Sequence, residues 1–154
     1  MRQLSATVAI LAFAVPAAAI AAVRGPGDGT LSVRDGRGTF AVTARGGVIG
    51  SFAHGKVIIT DPDPTDGTGS KVTGQDWHRE RSDITDVYGG TDVRFRLIGG
   101  TFRIKVIGTG VNLSVVGKGV AAVNGDGTAD DGTYSVDGGD YVLVPAFLTT
   151  FSLP

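Results

Sequence analysis

Short runs of alternating apolar and polar residues, separated by glycine-rich links, constrain the fold of this chain more than any other feature. The runs include TFAVTA at 39–44, DVRFRLI at 92–98 and TFRIKVI at 101–107. An apolar residue at every second position is typical of a β-strand with one buried face. The 25 glycines would be costly inside helices. The pattern predicts an all-β fold of about eight to ten short antiparallel strands, arranged as a β-sandwich or a flattened barrel.

The links between the runs, such as DGRG, GG, AHG, TG and GKG, are interpreted as turns, because glycine allows the positive φ that tight turns need. The runs also show a weak internal similarity. Residues 29–52 align without a gap on residues 100–123, with apolar positions and several glycines in register. Since glycine-rich alternating strands also match by chance, an internal duplication is one of two readings that remain open at this point.

The first residues have the layout of a secretory signal peptide. A positive start, MR, precedes the apolar run ATVAILAFAVPAAAIAA, which ends in small residues of the Ala-x-Ala type. We therefore expect a signal peptide over residues 1–22 and a single all-β domain over residues 23–154. An N-terminal membrane anchor is the alternative, but the apolar run is short for a span.

Composition limits the environment and the partners. The chain has no cysteine, so a disulfide framework is excluded and the domain depends on its core. Its net charge of −1 excludes a globally basic nucleic-acid binder. Any electrostatic function must therefore come from local segregation of charge.

Several segments together resemble a group of uncharacterised secreted proteins of high-GC bacteria. They are GDGTLSVRDGRGTF, GGVIGSF, ITDPDPTDGTG, VYGGTDVRFRLIGGTFRIKVIGTGVNLSVVGKG and DGTYSVDGG. The resemblance covers most of the chain after residue 22, and it implies export from a bacterial cell. It implies no activity, because none is known for that group.

RFRLIGGTFRIK at 94–105 carries cations on both sides of a Gly-Gly pair. A two-residue turn there would make a hairpin that places Arg96 opposite Arg103 and Arg94 opposite Lys105 on its outer face. Its inner face would be apolar and would contain Val93, Phe95, Leu97, Phe102, Ile104 and Val106. Because like charges opposite each other destabilise a hairpin, we interpret the four cations as a docking surface for an anionic partner: a cell-wall polymer, an acidic polysaccharide or a lipid headgroup. The alternative is an ordinary solvated face. The predicted anion-binding residues are Arg94, Arg96, Arg103 and Lys105.

Two loops are rich in aspartate, and both suggest a weak calcium alternative. NGDGTADDG contains Asp126, Asp130 and Asp131. TDPDPTDGTG places Asp61, Asp63 and Asp66 close together, and calcium prefers clustered carboxylates on bent loops. However, the spacing is not that of an EF-hand, and turn chemistry explains aspartate beside glycine or proline equally well. We predict no cofactor.

One segment, GQDWHRERSD at 74–83, combines an imidazole, carboxylates and the single tryptophan. We expect a loop or an irregular edge here, in which Asp76, His78 and Glu80 could form an acid–base group. The chain has no Gly-x-Ser-x-Gly elbow and no cysteine nucleophile.

Three functional hypotheses follow. The favoured one is an exported, non-enzymatic β-domain that binds or decorates the cell surface through its cations. The alternative is a small secreted glycan-acting hydrolase centred on residues 76–83. An eight-stranded outer-membrane barrel is the third and least favoured, because most strands are shorter than the roughly 9–11 residues that membrane strands need.

Overall fold

The computed structural model describes residues 28–128 and 130–154, so the predicted signal peptide lies outside the described residues. This part of the chain forms one antiparallel sheet of seven strands that is not closed into a barrel, and it contains no helix that could cross a membrane. The all-β prediction is confirmed. The strands are β1 (Gly29–Thr60), β2 (Lys71–Thr73), β3 (Trp77–Ser82), β4 (Thr85–Gly125), β5 (Thr133–Val136), β6 (Val142–Leu143) and β7 (Thr149–Leu153).

Two very long strands, β1 and β4, account for most of the fold. They pair with each other in two different registers, so that many residues of β1 have a β4 neighbour on both sides. Val42, for example, lies between Ile104 and Ala121. Such double pairing requires the two-stranded ribbon to wind back on itself.

The winding creates two layers, which we call the front layer and the back layer. In the front layer, neighbouring stretches follow the order β6, β5, 29–36, 111–117, 47–52, 93–98 and β2. In the back layer, they follow the order β7, 118–125, 38–45, 101–108, 54–60, 85–91 and β3. Each long strand therefore passes alternately through the front and the back.

Glycines mark the points where the chain crosses between layers. Gly46 has φ 152°, and a Cβ atom there would lie 2.2 Å from the Val116 carbonyl oxygen. No other residue fits so close to a backbone in that conformation. Several links that sequence reasoning interpreted as turns are therefore bends inside continuous strands. For this reason the structure has seven strands, two of them long, instead of eight to ten short ones.

The core lies between the two layers and is formed by the alternating apolar residues of both. Phe40, Phe52 and Phe102 are its largest fully buried side chains. Burying a side chain of this kind contributes about 1.5–3 kcal/mol. Successive side chains of a strand point to opposite faces. The inner face of the ribbon is apolar, and the polar and charged residues therefore lie on its outer face.

The predicted hairpin at Gly99-Gly100 is wrong, although its apolar face was identified correctly. The six residues assigned to that face are all buried: Val93, Phe95, Leu97, Phe102, Ile104 and Val106. However, Leu97 pairs with Val48, and Phe102 pairs with Ala44. Gly99 and Gly100 both have positive φ and carry the strand from the front layer to the back layer instead of reversing it.

The proposed internal duplication has a counterpart in the pairing. The same offset that aligns residues 29–52 with 100–123 converts the pair Ala44–Phe102 into the pair Leu31–Val115, and both pairs are present. The duplication itself stays a prediction.

Candidate functional site

The four predicted anion-binding residues are divided between the two layers. Arg94 and Arg96 lie on the outer face of the front layer, whereas Arg103 and Lys105 lie on the outer face of the back layer. Arg96 has Ile49 and Lys71 as its ladder neighbours, so it cannot lie opposite Arg103. The like-charge pairing predicted for the hairpin is therefore absent, and a different one, Arg96 beside Lys71, takes its place.

The outer face of the front layer contains a groove of about 650 Å³, which we call the front groove. Its residues come from β1, β2 and β4, which the winding brings side by side. Two rows of ladder neighbours cross it. One row is Ser32, Ser114, Ile49, Arg96 and Lys71, and the other is Asn112, Ser51, Arg94 and Thr73.

The front groove is positively charged at one side. Lys71, Arg94 and Arg96 line it, and no carboxylate does so among the described residues. Within residues 28–128 and 130–154, none of these three cations forms an ion pair. Adjacent like charges cost stability unless a counter-charge is present, so the arrangement favours an anion.

The rest of the floor is rich in hydroxyl groups. Within the described part of the chain, the hydroxyls of Ser51, Thr73 and Ser114 form no hydrogen bond to another protein group. Ser32 is different, because its Oγ lies 2.7 Å from the Tyr141 hydroxyl. Three hydroxyls are therefore free to bind a polar ligand, and the fourth is held in place.

The aromatic ring of Tyr141 also contacts a cation, Arg34. The Arg34 guanidinium lies over the Tyr141 ring, 3.8 Å from its centroid. The segment after β5 thus covers one part of the front layer and leaves the front groove open beside it. No local sequence pattern indicates this contact, because the partners are separated by more than 100 positions.

A second, smaller groove of about 540 Å³ adjoins the first and shares Ser51, Arg94 and Asn112 with it. It differs in charge, since Asp35 and Asp92 also line it. Both aspartates have positive φ and occupy bends. Arg94 therefore lies at the border between a cationic groove and a mixed one.

The segment predicted to hold an acid–base group forms strand β3, with all six residues exposed and an irregular register near Ser82. The His78 Nε2 atom lies 2.7 Å from Asp86 Oδ1, and the imidazole stacks on Tyr88 with ring centroids 4.5 Å apart. Burial, and next the charge of Asp86, raise the pKa of the Tyr88 phenol above 10.0.

The structure does not bring Asp76 and His78 together as a pair. Asp76 Oδ2 accepts a hydrogen bond from the Thr91 amide at 3.0 Å, which fixes a bend. Glu80 lies opposite Asp86 in the ladder. No residue of 76–83 lines either groove. His78 therefore has a carboxylate partner, but the partner comes from β4 and the pair lies on an exposed edge.

In the first aspartate-rich loop, Asp61, Asp63 and Asp66 each accept a hydrogen bond from a residue two positions further along the chain. Asp61 Oδ1 accepts the Asp63 amide at 3.0 Å, and Asp66 Oδ1 accepts the Thr68 amide at 2.8 Å. The side-chain and backbone hydrogen bonds of Thr68 lower the pKa of Asp66. Over residues 28–128 and 130–154, no three His, Cys, Asp or Glu side chains form a group that could hold a metal ion.

The second aspartate-rich loop contains a buried carboxylate, Asp131, which is only 3% exposed. It accepts the Gly127 amide at 2.7 Å, the Thr128 amide at 3.0 Å and the Thr128 hydroxyl at 2.6 Å. These hydrogen bonds, the Thr128 hydroxyl first, lower the pKa of Asp131. The signal in the sequence was the motif NGDGTADDG, but it does not show which aspartate is buried.

Comparison with known proteins adds no relative. No family model, no curated protein and no solved structure matches this chain.

Proposed function

We propose that this protein is an exported, non-enzymatic binding module whose front groove holds a segment of an acidic polysaccharide. The observation that carries the proposal is the grouping of Lys71, Arg94 and Arg96 in a groove with no lining carboxylate. Arginine binds a carboxylate through two parallel hydrogen bonds. A cluster of two arginines and a lysine without a counter-charge therefore suits an oxyanion-bearing ligand.

The floor of the groove favours a glycan over a simple anion. Ser51, Thr73 and Ser114 offer hydroxyls without protein partners, in reach of a ligand that carries hydroxyls of its own. The volume of about 650 Å³ is in the range of sites that enclose small ligands. Ile49, 36% exposed, adds an apolar contact between Ser114 and Arg96 in the first row. A short acidic oligosaccharide meets all three features.

The proposed location outside the cell depends on the N-terminal sequence and on the resemblance to secreted proteins of high-GC bacteria. An acidic polysaccharide is available to a protein at the bacterial cell surface, so the proposed location and the proposed ligand agree. Detection of the protein in the culture medium or cell-wall fraction, with residues 1–22 removed, tests this part. Retention of the full chain in the cytoplasm would contradict it.

Isothermal titration calorimetry with trigalacturonate, a short uronic-acid oligomer, tests the groove directly. We expect binding by the protein, and a loss of at least about tenfold in affinity for Arg94→Glu/Arg96→Glu, because two charge-assisted hydrogen-bonding groups are reversed. The matched control is Arg103→Glu/Lys105→Glu, which makes the same change in net charge on the other layer. The neutral trisaccharide of galactose controls for binding by hydroxyls alone.

Three results would contradict the proposal: no binding of trigalacturonate at low salt, equal loss in both variants, or equal binding of the neutral oligomer. Stronger binding of inorganic triphosphate than of trigalacturonate would reassign the ligand class from glycan to phosphate. Cleavage of a longer oligomer that His78→Ala abolishes would favour the hydrolase alternative instead.

A further inference from the structure

The outer face of the back layer carries a diagonal line of five cations, which we call the back stripe: Lys118, Arg45, Arg103, Lys105 and Lys56. Lys118 and Arg45 are direct ladder neighbours. Arg103 lies diagonally beside Arg45, since its ladder neighbour is Thr43. Consecutive members of the stripe are thus direct ladder neighbours, diagonal neighbours, or residues two positions apart on one strand. Such residues are separated by about 5–8 Å.

The stripe continues from Arg103 to Lys105 on the same face of β4 and then to Lys56 on β1. Lys105 pairs with Ile58, so Lys56 is its diagonal neighbour. All five side chains are exposed. A line of cations with a regular spacing matches a linear polyanion better than it matches a single small anion.

Carboxylates lie at the margin of the back stripe. The ladder neighbours of its members are other cations, threonines, glycine and apolar residues, with no carboxylate among the described residues. Asp66 approaches only the Arg45 end, where the guanidinium contributes to lowering the pKa of Asp66. The central members, Arg103 and Lys105, form no ion pair within the described part of the chain.

We propose that the back stripe binds along a linear polyanion, and that the protein uses its two layers to bridge two polyanion chains. The inner faces of both layers pack on one core, so the front groove and the back stripe point away from each other. The stripe does not depend on the proposed glycan ligand of the groove, whereas the bridging depends on both surfaces.

A bilayer surface fits the stripe less well. Peripheral membrane sites combine cations with apolar side chains that enter the lipid interface. Among the described residues, the most exposed apolar side chains, Leu143, Phe147 and Leu148, lie in the segment after β5. Beside the stripe, Val120 and Trp77 are exposed near its Lys118 and Lys56 ends, but neither is a ladder neighbour of a stripe member. Charge complementarity therefore favours a polymer chain, and anionic vesicles become one arm of the test.

The experiment compares short and long polyanions with three versions of the protein. Long polygalacturonate is titrated into the wild type, into the groove variant Arg94→Glu/Arg96→Glu and into the stripe variant Arg103→Glu/Lys105→Glu. We expect a turbidity maximum at intermediate polymer-to-protein ratio for the wild type only, because a protein with one binding surface coats a polymer without cross-linking it. The groove variant should still bind the long polymer, and its affinity should fall with added salt.

The control for total charge is Arg79→Glu/Arg81→Glu, which makes the same change on β3, with residues 54–60 and 85–91 between it and the stripe members Arg103 and Lys105. This variant should cross-link the polymer as the wild type does. Cross-linking by the stripe variant at the wild-type level would overturn the inference. Loss of cross-linking in the β3 variant as well would reduce the effect to net charge and overturn it equally.

The failure of this inference is distinguishable from failure of the proposed function. If trigalacturonate binds in the groove and the stripe variant cross-links normally, only the inference fails. If no uronate binds at all but long polyphosphate binds to the wild type without turbidity, and the stripe variant loses that binding, the groove proposal and the bridging of two polyanions both fail. Binding to vesicles of phosphatidylglycerol that exceeds binding to both polymers would replace the polymer with a membrane.

Discussion

The front layer and the back layer are made from the same two long strands, yet their outer faces differ. The front layer gathers three cations in a concave groove with hydroxyls beside them, and the segment around Tyr141 covers its other side. The back layer arranges five cations in a line. The aspartates lie mostly in bends and loops, as at Asp35, Asp92 and Asp137. A chain of nearly neutral net charge can therefore present cationic faces, because its charges are segregated by local structure.

The difference between the layers comes from pairing over long sequence distances. Arg96 meets Lys71 because β2 joins the front edge of the sheet, whereas Arg103 meets two threonines because residues 101–108 lie in the middle of the back layer. Alternation along the strand directs all of these side chains outward, but only the winding decides which of them become neighbours.

We expect the largest loss of stability when a side chain is added at a glycine where the chain crosses between the two layers. We expect Gly46→Ala to lower the free energy of unfolding by about 3 kcal/mol, because φ 152° strains an alanine and its Cβ would meet the Val116 carbonyl oxygen. Urea unfolding measures the loss. Gly69→Ala is the control, since a Cβ there has no atom within 4 Å. Equal stability of both variants would contradict the crossing assigned to Gly46.

A smaller, pH-dependent effect on stability is expected at Asp131, which accepts hydrogen bonds from the loop after β4. The lowered pKa of Asp131 means that its contribution to stability is present above its ordinary pKa of 3.8 and is lost as the pH falls through the lowered value. Asp131→Asn should therefore be less stable than the wild type at pH 7, and the difference should shrink at low pH.

Thermal unfolding at pH 7 and at about pH 2.5 measures this convergence. The exposed Asp140→Asn provides the matched change in charge and should leave the stability unchanged at pH 7. A constant difference between the Asp131 variant and the wild type at both pH values would show that the carboxylate charge does not matter there.

The contribution of Tyr141 to stability can be separated into two parts, its hydrogen bond to Ser32 and its ring contact with Arg34. Tyr141→Phe removes the hydrogen bond to Ser32 and should lower the free energy of unfolding by about 0.5–1 kcal/mol. Tyr141→Ala also removes the ring beneath Arg34 and should add about 0.5–1 kcal/mol to the loss. Chemical denaturation of both variants provides the measurement. Identical losses would mean that the Arg34 contact contributes nothing.

The smallest effect is expected at the exposed edge of the back layer. His78→Ala removes one hydrogen bond to Asp86 and one stacking contact with Tyr88. Because the pair is solvent-exposed, we expect a loss below about 1 kcal/mol and no change in trigalacturonate binding. Stability by denaturation and affinity by calorimetry check both parts. A large loss of affinity would shift the binding site to residues 76–83.

The sequence predicted the strand content and the buried face well, because period-two alternation is a local signal. Phe95, Leu97, Phe102 and Ile104 were all assigned to the core from spacing alone, and all are buried. The Gly-Gly hairpin was wrong for a physical reason. Glycine with positive φ serves a chain reversal and a bend between layers equally well, and only the distant partners of each strand decide between them.

Only part of the candidate site was predicted, because local patterns are visible in the sequence and distant strand partners are not. Arg94 and Arg96 were identified from their own strand. Lys71, Ser51 and Ser114 were missed, because they reach the groove from other strands through pairings that no local pattern encodes.

Amide chemical shifts in two-dimensional NMR would locate bound trigalacturonate on the protein residue by residue. We expect the perturbed amides to cluster at Ile49, Ser51, Lys71, Arg96 and Ser114, on the front layer, and we expect Arg94→Glu/Arg96→Glu to abolish the changes. Perturbations confined to β3 and its partner Asp86, with the front groove unaffected, would contradict the proposed binding site.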